Sequence, residues 1–271
     1  MRSLVLAAVL ATALASPVLS SSAWAQTAPP QAPALPHRQG LPMEMPKVEE
    51  DAALQAAIAS TTRPEADRAR DSQRHPFETL TFWGLQPGLT VVEIEPGRAG
   101  WWRNILEPYA SATGGRYVAV GRPTEGMGVE DGTADMVVVA RAFHNWSRDG
   151  RAEPYLAAFF KALKPGGVLA VEQHRSVDGL NVADVASTGY VPESYVIHAA
   201  RSAGFELEAR SELNANAKDD RDHPFGVWTL VPTRTSQRDG RVLTAEERAA
   251  FDAVGESDRM TLRFRKPQAA N

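Results

Sequence analysis

Short runs of apolar, mostly β-branched residues alternate with helical stretches along this chain. The first run, TVVEI at residues 90–94, is too apolar for a half-exposed strand and predicts a buried one. Similar runs at residues 117–120, 136–140, 168–172 and 205–209 predict further strands, and helices are predicted at residues 101–110, 154–163 and 193–203. Strands separated by helices pair in parallel, so the pattern predicts an α/β fold with a doubly wound, mostly parallel sheet.

Both ends of the chain add smaller elements to this core. Before the first strand, the sequence predicts helices at residues 51–59 and 63–74 and an apolar helical stripe that ends at Gly84. Near the other end, Thr244 and Glu247 have the spacing of a capping box, which predicts a helix to about Val254. Residues 260–264 alternate apolar with polar and predict a last strand.

Polar side chains follow two of the predicted strands. Arg141, His144 and Asn145 come after the strand at 136–140, and Glu172 and His174 end the strand at 168–172. The carboxyl ends of parallel strands meet at one edge of a sheet, where ligands bind, so these residues form the candidate catalytic site. His144 is the candidate general base because its ordinary pKa is near neutral, with Asn145 or Glu172 orienting it or the substrate. The alternative is that His144 and His174 only satisfy loop carbonyl groups.

Other kinds of site have less support. Two histidines and Glu172 have the ligand chemistry of a zinc or iron site, but no HxH or HExxH spacing accompanies them, so no metal is expected. The chain contains no cysteine and no GxSxG elbow, which argues against thiol and serine nucleophiles. Its net charge of −4 gives no basic surface for a nucleic-acid partner.

Three segments resemble the core of class I S-adenosylmethionine-dependent methyltransferases: TVVEIEPGRAG, EDGTADMVVVA and FFKALKPGGVLAVEQHR. The resemblance covers residues 80–213, and HPFETLTFWGL, FHNW and GYVPESYVIHAARSAGF are similar to an exported subgroup of predicted methyltransferases. It implies a Rossmann-like methyltransferase fold, S-adenosylmethionine as cofactor, and methyl transfer to an unidentified small-molecule or peptide substrate. It also implies the cofactor-binding residues Glu93, Glu95, Gly97, Gly100, Asp135 and Arg141.

The chain departs from the family pattern at three places. Glu95 and Ala99 stand where the family has the first and third glycines of its loop. Gly121 and Arg122 follow the second strand, where the family has a carboxylate for the ribose hydroxyl groups. Residues 121–134 are too few for the helix and strand that the family places there. A shortened region after the second strand is therefore predicted, and an exported, non-catalytic ligand-binding or scaffold protein that lost the cofactor is the alternative function.

The first 25 residues have the features of a secretory signal peptide. Arg2 is followed by an uncharged apolar run at residues 4–14, and Ala23-Trp24-Ala25 is a small-x-small cleavage site. Six prolines in residues 26–47 predict an extended tether, and a methyltransferase-like domain is expected at residues 48–271. The mature protein is expected to be periplasmic or secreted, with no stable membrane span.

N-terminal sequencing of the purified native protein tests the export prediction. Cleavage after Ala25 would leave a mature chain that begins at or near Gln26, because signal peptidase cuts after a small-x-small motif. Recovery of membrane-bound protein with an intact Met1 would contradict it.

Overall fold

The computed structural model describes residues 50–268. The predicted signal peptide at 1–25 and the predicted tether at 26–47 lie outside these residues, so both stay predictions. Within the described part of the chain, every helix is too short or too polar to cross a lipid bilayer.

The helices and strands are numbered here in chain order. The helices are α1 Ala52–Ala59, α2 Glu65–Arg68, α3 Asp71–Arg74, α4 Pro76–Trp83, α5 Arg103–Thr113, α6 Phe143–Arg148, α7 Ala152–Ala162, α8 Val182–Val185, α9 Glu193–Ser202 and α10 Ala245–Val254. The strands are β1 Thr90–Ile94, β2 Arg116–Val120, β3 Ala134–Ala140, β4 Leu163–Ser176, β5 Val191–Pro192, β6 Glu206–Ser211, β7 Pro224–Val227, β8 Gln237–Arg238, β9 Arg241–Val242 and β10 Arg259–Arg265. A 3₁₀ turn covers Ala186–Thr188.

The main sheet has the strand order β2-β1-β3-β4-β10-β6. β1 pairs in parallel with β2 and β3, and β3 pairs in parallel with β4. β10 lies antiparallel between β4 and β6. The short strand β5 pairs with the end of β4, while β8 and β9 form a separate hairpin. The predicted doubly wound, mostly parallel α/β sheet is confirmed.

Each face of the sheet has its own hydrophobic core. Successive side chains of a strand point to opposite faces, and on one face Val91, Val138 and Ala170 pack against α1, α4 and α5. On the other face Val92, Val137 and Leu169 pack against α6, α7 and α9. The apolar runs in the sequence therefore belong to strands that are buried on both sides.

Two predicted elements differ from the structure. The helix predicted at 63–74 is split into α2 and α3. Across this segment the buried Arg63 donates to both carboxylate oxygens of Asp71 at 2.7 Å. The strand predicted at 168–172 is the middle of β4, which runs from Leu163 to Ser176. Its pairing with β3 shifts register between Leu163 and Val168, where Gly166 has a φ of 77°.

The shortened region after β2 is also confirmed. Residues 121–133, all within the described range, form turns that contain no helix or strand. They fold back over the sheet, where Met127 is buried in the core and the Arg116 side chain donates to the carbonyl of Gly128 at 3.0 Å. β2 is therefore the edge strand of the described sheet.

The last strand brings a new segment to the carboxyl edge of the parallel strands. The capping box is present as predicted, with the Thr244 hydroxyl and the Glu247 carboxylate each accepting from the other's backbone amide. After α10 the chain enters β10 antiparallel to β4. The amino end of β10, with residues 256–259, therefore lies at the same edge as the carboxyl ends of β1, β3 and β4.

Replacing Phe159 on α7 by alanine tests the second core. Phe159 is fully buried against Trp146, so the change should lower the free energy of unfolding by about 3–5 kcal/mol. Lys161→Ala on the same helix removes a side chain that is 72% exposed, and should change it by no more than about 0.5 kcal/mol. Urea unfolding of both variants measures the difference, and similar losses would contradict this packing.

Candidate functional site

A cavity of about 300 Å³ opens at the carboxyl edge of β1, β3 and β4. Its walls come from five parts of the fold: α2–α3, the loop after β1, the ends of β3 and β4, the segment around Val227–Thr233, and the segment before β10. The lining residues are Arg70, Arg74, Pro96, Gly97, Arg98, Ala99, Gly100, Trp101, Arg141, His144, His174, Val227, Trp228, Val231, Pro232, Thr233, Glu256 and Ser257. The predicted edge of the sheet therefore does hold a cavity.

His144 lies in the first turn of α6 and faces this cavity. Its ring is 5.8 Å from the ring of Trp228 in an edge-on arrangement, its Nδ1 is buried, and its side chain is hydrogen-bonded to Gln173. Burial lowers the pKa of His144 to about 4, and the positive charge of Arg148 acts in the same direction. The imidazole is therefore neutral at pH 7.

His174, near the end of β4, is the second histidine on the cavity. Its ring is 6.2 Å from that of His144, and its Nδ1 is 2.6 Å from the hydroxyl of Ser257. Burial and the nearby charge of Arg141 hold the pKa of His174 well below its usual value. This histidine is also neutral at pH 7, and Ser257 orients its ring.

Glu172 lies beneath the cavity and does not line it. Its side chain is fully buried, with Oε1 2.8 Å from Nε of Arg259 and Oε2 accepting from the indole N–H of Trp102 at 3.2 Å. Burial would raise the pKa of Glu172, but the charges of Arg259, Arg141 and Arg74 outweigh it and keep the pKa below its ordinary value. In this position Glu172 orients its neighbours, and its carboxylate does not reach a ligand in the cavity.

Asn145 is the fourth predicted catalytic residue, and the structure does not bring it to the cavity. It is half-buried on α6, and its side-chain oxygen accepts from Arg148 at 3.5 Å. Adjacent residues of a helix point about 100° apart, so His144 and Asn145 face different directions. The sequence could not show which of the two faces inward.

The loop after β1 contributes its backbone to the cavity. Gly97 and Gly100 both line it and have φ angles of 69° and 57°. Glu95 is also in the left-handed region, with a φ of 48°, but its carboxylate lies 3.5 Å from Arg151 at the start of α7. Glu95 keeps the backbone shape of the glycine that it replaces, and its side chain points away from the cavity lining.

Glu93 is buried one layer below the loop. Its carboxylate accepts from the Tyr117 hydroxyl at 2.7 Å, and its side chain is not among those lining the cavity. Burial raises the pKa of Glu93 to about 7, although the Tyr117 hydrogen bond acts in the opposite direction.

Asp135 lies at the opposite edge of the sheet from the cavity. It opens β3, six residues before Arg141, which corresponds to about 20 Å along a strand. Its carboxylate accepts from the backbone amide of Thr90 at 2.8 Å and from Lys164 at 2.6 Å. The structure therefore does not bring Asp135 to the cavity: the residue joins the amino ends of β1, β3 and β4.

The cavity also contains residues that the sequence did not single out. Arg70 and Arg74 come from the short helices before the sheet, and Glu256 and Ser257 come from the segment before β10. A polar residue in a short helix or loop carries no periodic signal of burial. The sequence signal that could have indicated them is the polar run at residues 256–259, directly before an apolar strand. That run reaches the cavity because β10 is antiparallel to β4.

One group of potential metal ligands lies close together in the described residues: Asp219, Asp220 and His223. The buried Asp219 already accepts from Tyr190, from the backbone amides of Arg221 and Asp258, and lies 2.8 Å from Nε2 of His223. These contacts account for the cluster as part of the fold. The histidines of the cavity and Glu172 do not form such a group.

Glu93→Gln tests the buried carboxyl group. Because the pKa of about 7 in the fold lies above the ordinary 4.5, the stability that this group contributes is present below pH 4.5 and is lost as the pH rises to 7. The variant should match the wild type at pH 4 and exceed it by about 3 kcal/mol in unfolding free energy at pH 8. Urea unfolding at both pH values measures this. Glu107→Gln, at an exposed position of α5, is the control and should show no such difference.

No family model matches the chain, and no curated protein matches its sequence. Among solved structures, a putative sarcosine dimethylglycine methyltransferase from Galdieria sulphuraria is 13% identical, with 83% of this chain and 94% of that chain covered and a TM-score of 0.46. The geranyl diphosphate C-methyltransferase from Streptomyces coelicolor A3(2) is 13% identical, with 81% and 88% covered and a TM-score of 0.43. The [4+2]-cyclase SpnF is 14% identical, with 84% and 89% covered and a TM-score of 0.49. Similarities at this level concern the general α/β fold and assign no substrate, cofactor or partner to the chain.

Proposed function

We propose that the cavity at the carboxyl edge is a methyltransferase active site that uses S-adenosylmethionine to methylate an acceptor bound beside it. The observation that supports this most is the composition of the cavity walls. Residues 96–100, after β1, line the cavity together with His144, after β3, and His174, near the end of β4. The resemblance of these same segments to class I methyltransferases supports the same proposal.

The loop after β1 fits the methionine half of the cofactor. A Cβ added at Gly97 would meet no protein atom within 4 Å, so the backbone here is open to a ligand. Backbone amides that precede a helix favour an anionic group such as a carboxylate. Gly97 is therefore the residue that would hold the amino-acid end, whereas the side chain of Arg103 already covers Gly100.

The adenosine half has fewer partners in the described chain. Arg122, directly after β2, is 74% exposed and paired with Glu125 at 3.0 Å, and neither residue lines the cavity. The shortened segment 121–133 supplies no further strand beside β2. We expect the ribose and adenine to be bound weakly and to remain in contact with solvent.

S-adenosylmethionine, when bound, supplies an electrophilic methyl group. The residues of the chain would hold the acceptor in line with it, exclude water and, where the acceptor carries a proton, accept that proton at the imidazole of His144, which lines the cavity. A base whose pKa is about 4 is unprotonated at pH 7 but weak. It suits an acceptor that is already deprotonated or loses its proton easily.

A second candidate is an exported, non-catalytic ligand-binding or scaffold protein that kept the fold and lost the cofactor. The observation in its favour is the arginine after β2, where a ribose-binding carboxylate is expected. We also propose that the chain is exported, as its first 25 residues predict. S-adenosylmethionine is made in the cytoplasm, so export adds to the support for this candidate.

Calorimetric titration of the purified protein with S-adenosylmethionine and its demethylated product tests the proposed function. The wild type should bind both, and Gly97→Val should abolish binding because the branched side chain occupies the open space beside the loop. Gly132→Val is the matched control: its φ of 67° resembles the 69° of Gly97, and a Cβ there also meets nothing within 4 Å, but Gly132 lies outside the cavity.

The control should show a similar loss of stability and unchanged affinity. Equal affinity in Gly97→Val and the wild type would move the cofactor site elsewhere. Absence of binding by the wild type at millimolar ligand would favour the non-catalytic candidate.

A further inference from the structure

Arginine side chains dominate the charge of the cavity wall. The four that line it are Arg70, Arg74, Arg98 and Arg141, whereas among the described lining residues the acidic one is Glu256. Arg70 is paired with Asp67 at 2.7 Å. Arg74 is paired with Glu256 at 2.8 Å. Arg98 and Arg141 therefore leave the wall electropositive, and the two neutral histidines do not change this balance.

The floor of the cavity is an ion-pair network with unequal charges. Arg74 donates to Glu256 at 2.8 Å, and Arg259 contacts both Glu256 and Glu172. Arg141 lies 3.7 Å from Glu172. Three guanidinium groups thus share two carboxylates, which leaves one positive charge without a counterion inside the network. An uncompensated charge in a buried position is costly, and an anion in the cavity would offset it.

Arg141 has two unusual features that point in the same direction. Its Nη1 is buried and pairs with Glu172 only at 3.7 Å, beyond hydrogen-bond distance. Its backbone has a φ of 56°, held by the amide that donates to the carbonyl of Glu172 at 2.7 Å. Such a left-handed conformation costs about 1–3 kcal/mol in a residue other than glycine. This strained residue, Arg141, is one that lines the cavity.

Arg74 is crowded by like charges. Burial lowers the pKa of Arg74 to about 9, and the charge of Arg141 adds to this effect while Glu256 opposes it. At pH 7 the guanidinium is charged and repelled by its neighbour. An anion that contacts both arginines would relieve this repulsion.

We propose that the acceptor bound in this cavity carries a carboxylate or phosphate group, which Arg74 and Arg141 recognise. This inference rests on the proposed function, because it names the substrate class of that site. The planar guanidinium fork matches the paired oxygens of both groups. Trp228 also lines the cavity and provides an aromatic surface for the rest of the molecule, whereas the ring of Trp101 is covered by Arg74 at 4.9 Å.

Titration calorimetry with citrate and with inorganic phosphate, at constant ionic strength, tests the anion site. Arg141→Gln should weaken binding at least about tenfold, which corresponds to about 1.4 kcal/mol. Arg122→Gln is the matched control, since its guanidinium follows a neighbouring strand but lies outside the cavity. It should bind as the wild type does. The anion that binds more tightly identifies whether carboxylate or phosphate is preferred.

A second variant keeps the test decisive if Arg141→Gln fails to fold. Arg98 is exposed at the rim of the cavity, so Arg98→Gln should fold normally and weaken the same anion about threefold through lost attraction. Unchanged affinity in both variants, or no binding of either anion at about 10 mM, would overturn the inference.

Titration of the anion into protein saturated with S-adenosylmethionine separates the two proposals. Binding of the anion to the loaded protein supports an acceptor site beside the cofactor. Full competition would overturn the inference, because the arginines would then hold the carboxylate of the cofactor itself. Anion binding by a protein that does not bind S-adenosylmethionine would support the arginine site and overturn methyl transfer. Binding of S-adenosylmethionine without anion binding would support the cofactor site and overturn the arginine site.

Discussion

The fully buried carboxylate of Glu172 joins the elements that form the cavity. It contacts Arg259 at the start of β10 and the indole of Trp102 before α5, while its backbone carbonyl accepts from Arg141 at the end of β3. Loss of one partner in such a buried pair costs about 3–5 kcal/mol, because the remaining charge has no solvent to stabilise it. The ends of β3, β4 and β10 and the segment before α5 therefore meet at this one residue.

The antiparallel direction of β10 determines the charge of the site. Because its amino end reaches the edge where β3 and β4 end, Arg259 and Glu256 lie beside Arg74 and Arg141. A parallel last strand would place these groups at the other edge, with Asp135. The electropositive cavity is thus a consequence of topology, and the acceptor chemistry that we propose follows from it.

The shortened segment after β2 limits the other side of the site. Residues 121–133 cover one core and leave β2 as the edge of the described sheet, and Glu95 pairs with Arg151 instead of facing the cavity. The strongest interactions available to a ligand are therefore at β1, β3 and β4. Because the polar groups lie at β1, β3 and β4 and not beside β2, the cavity is better suited to bind an amino-acid or anionic group than a nucleoside.

The local sequence pattern was enough to predict β1, the capping box at Thr244 and the general position of His144. Each of these features depends on residues that are neighbours in the chain. The pattern was not enough to show that Asn145 turns away from the cavity or that Asp135 lies at the far edge, since these depend on helix rotation and strand direction in the packed sheet. Arg74 shows the same limit most clearly. By sequence it is one charged residue among several in a polar helix, and only the folded chain buries it between Glu256 and Trp101, where its charge acquires a role.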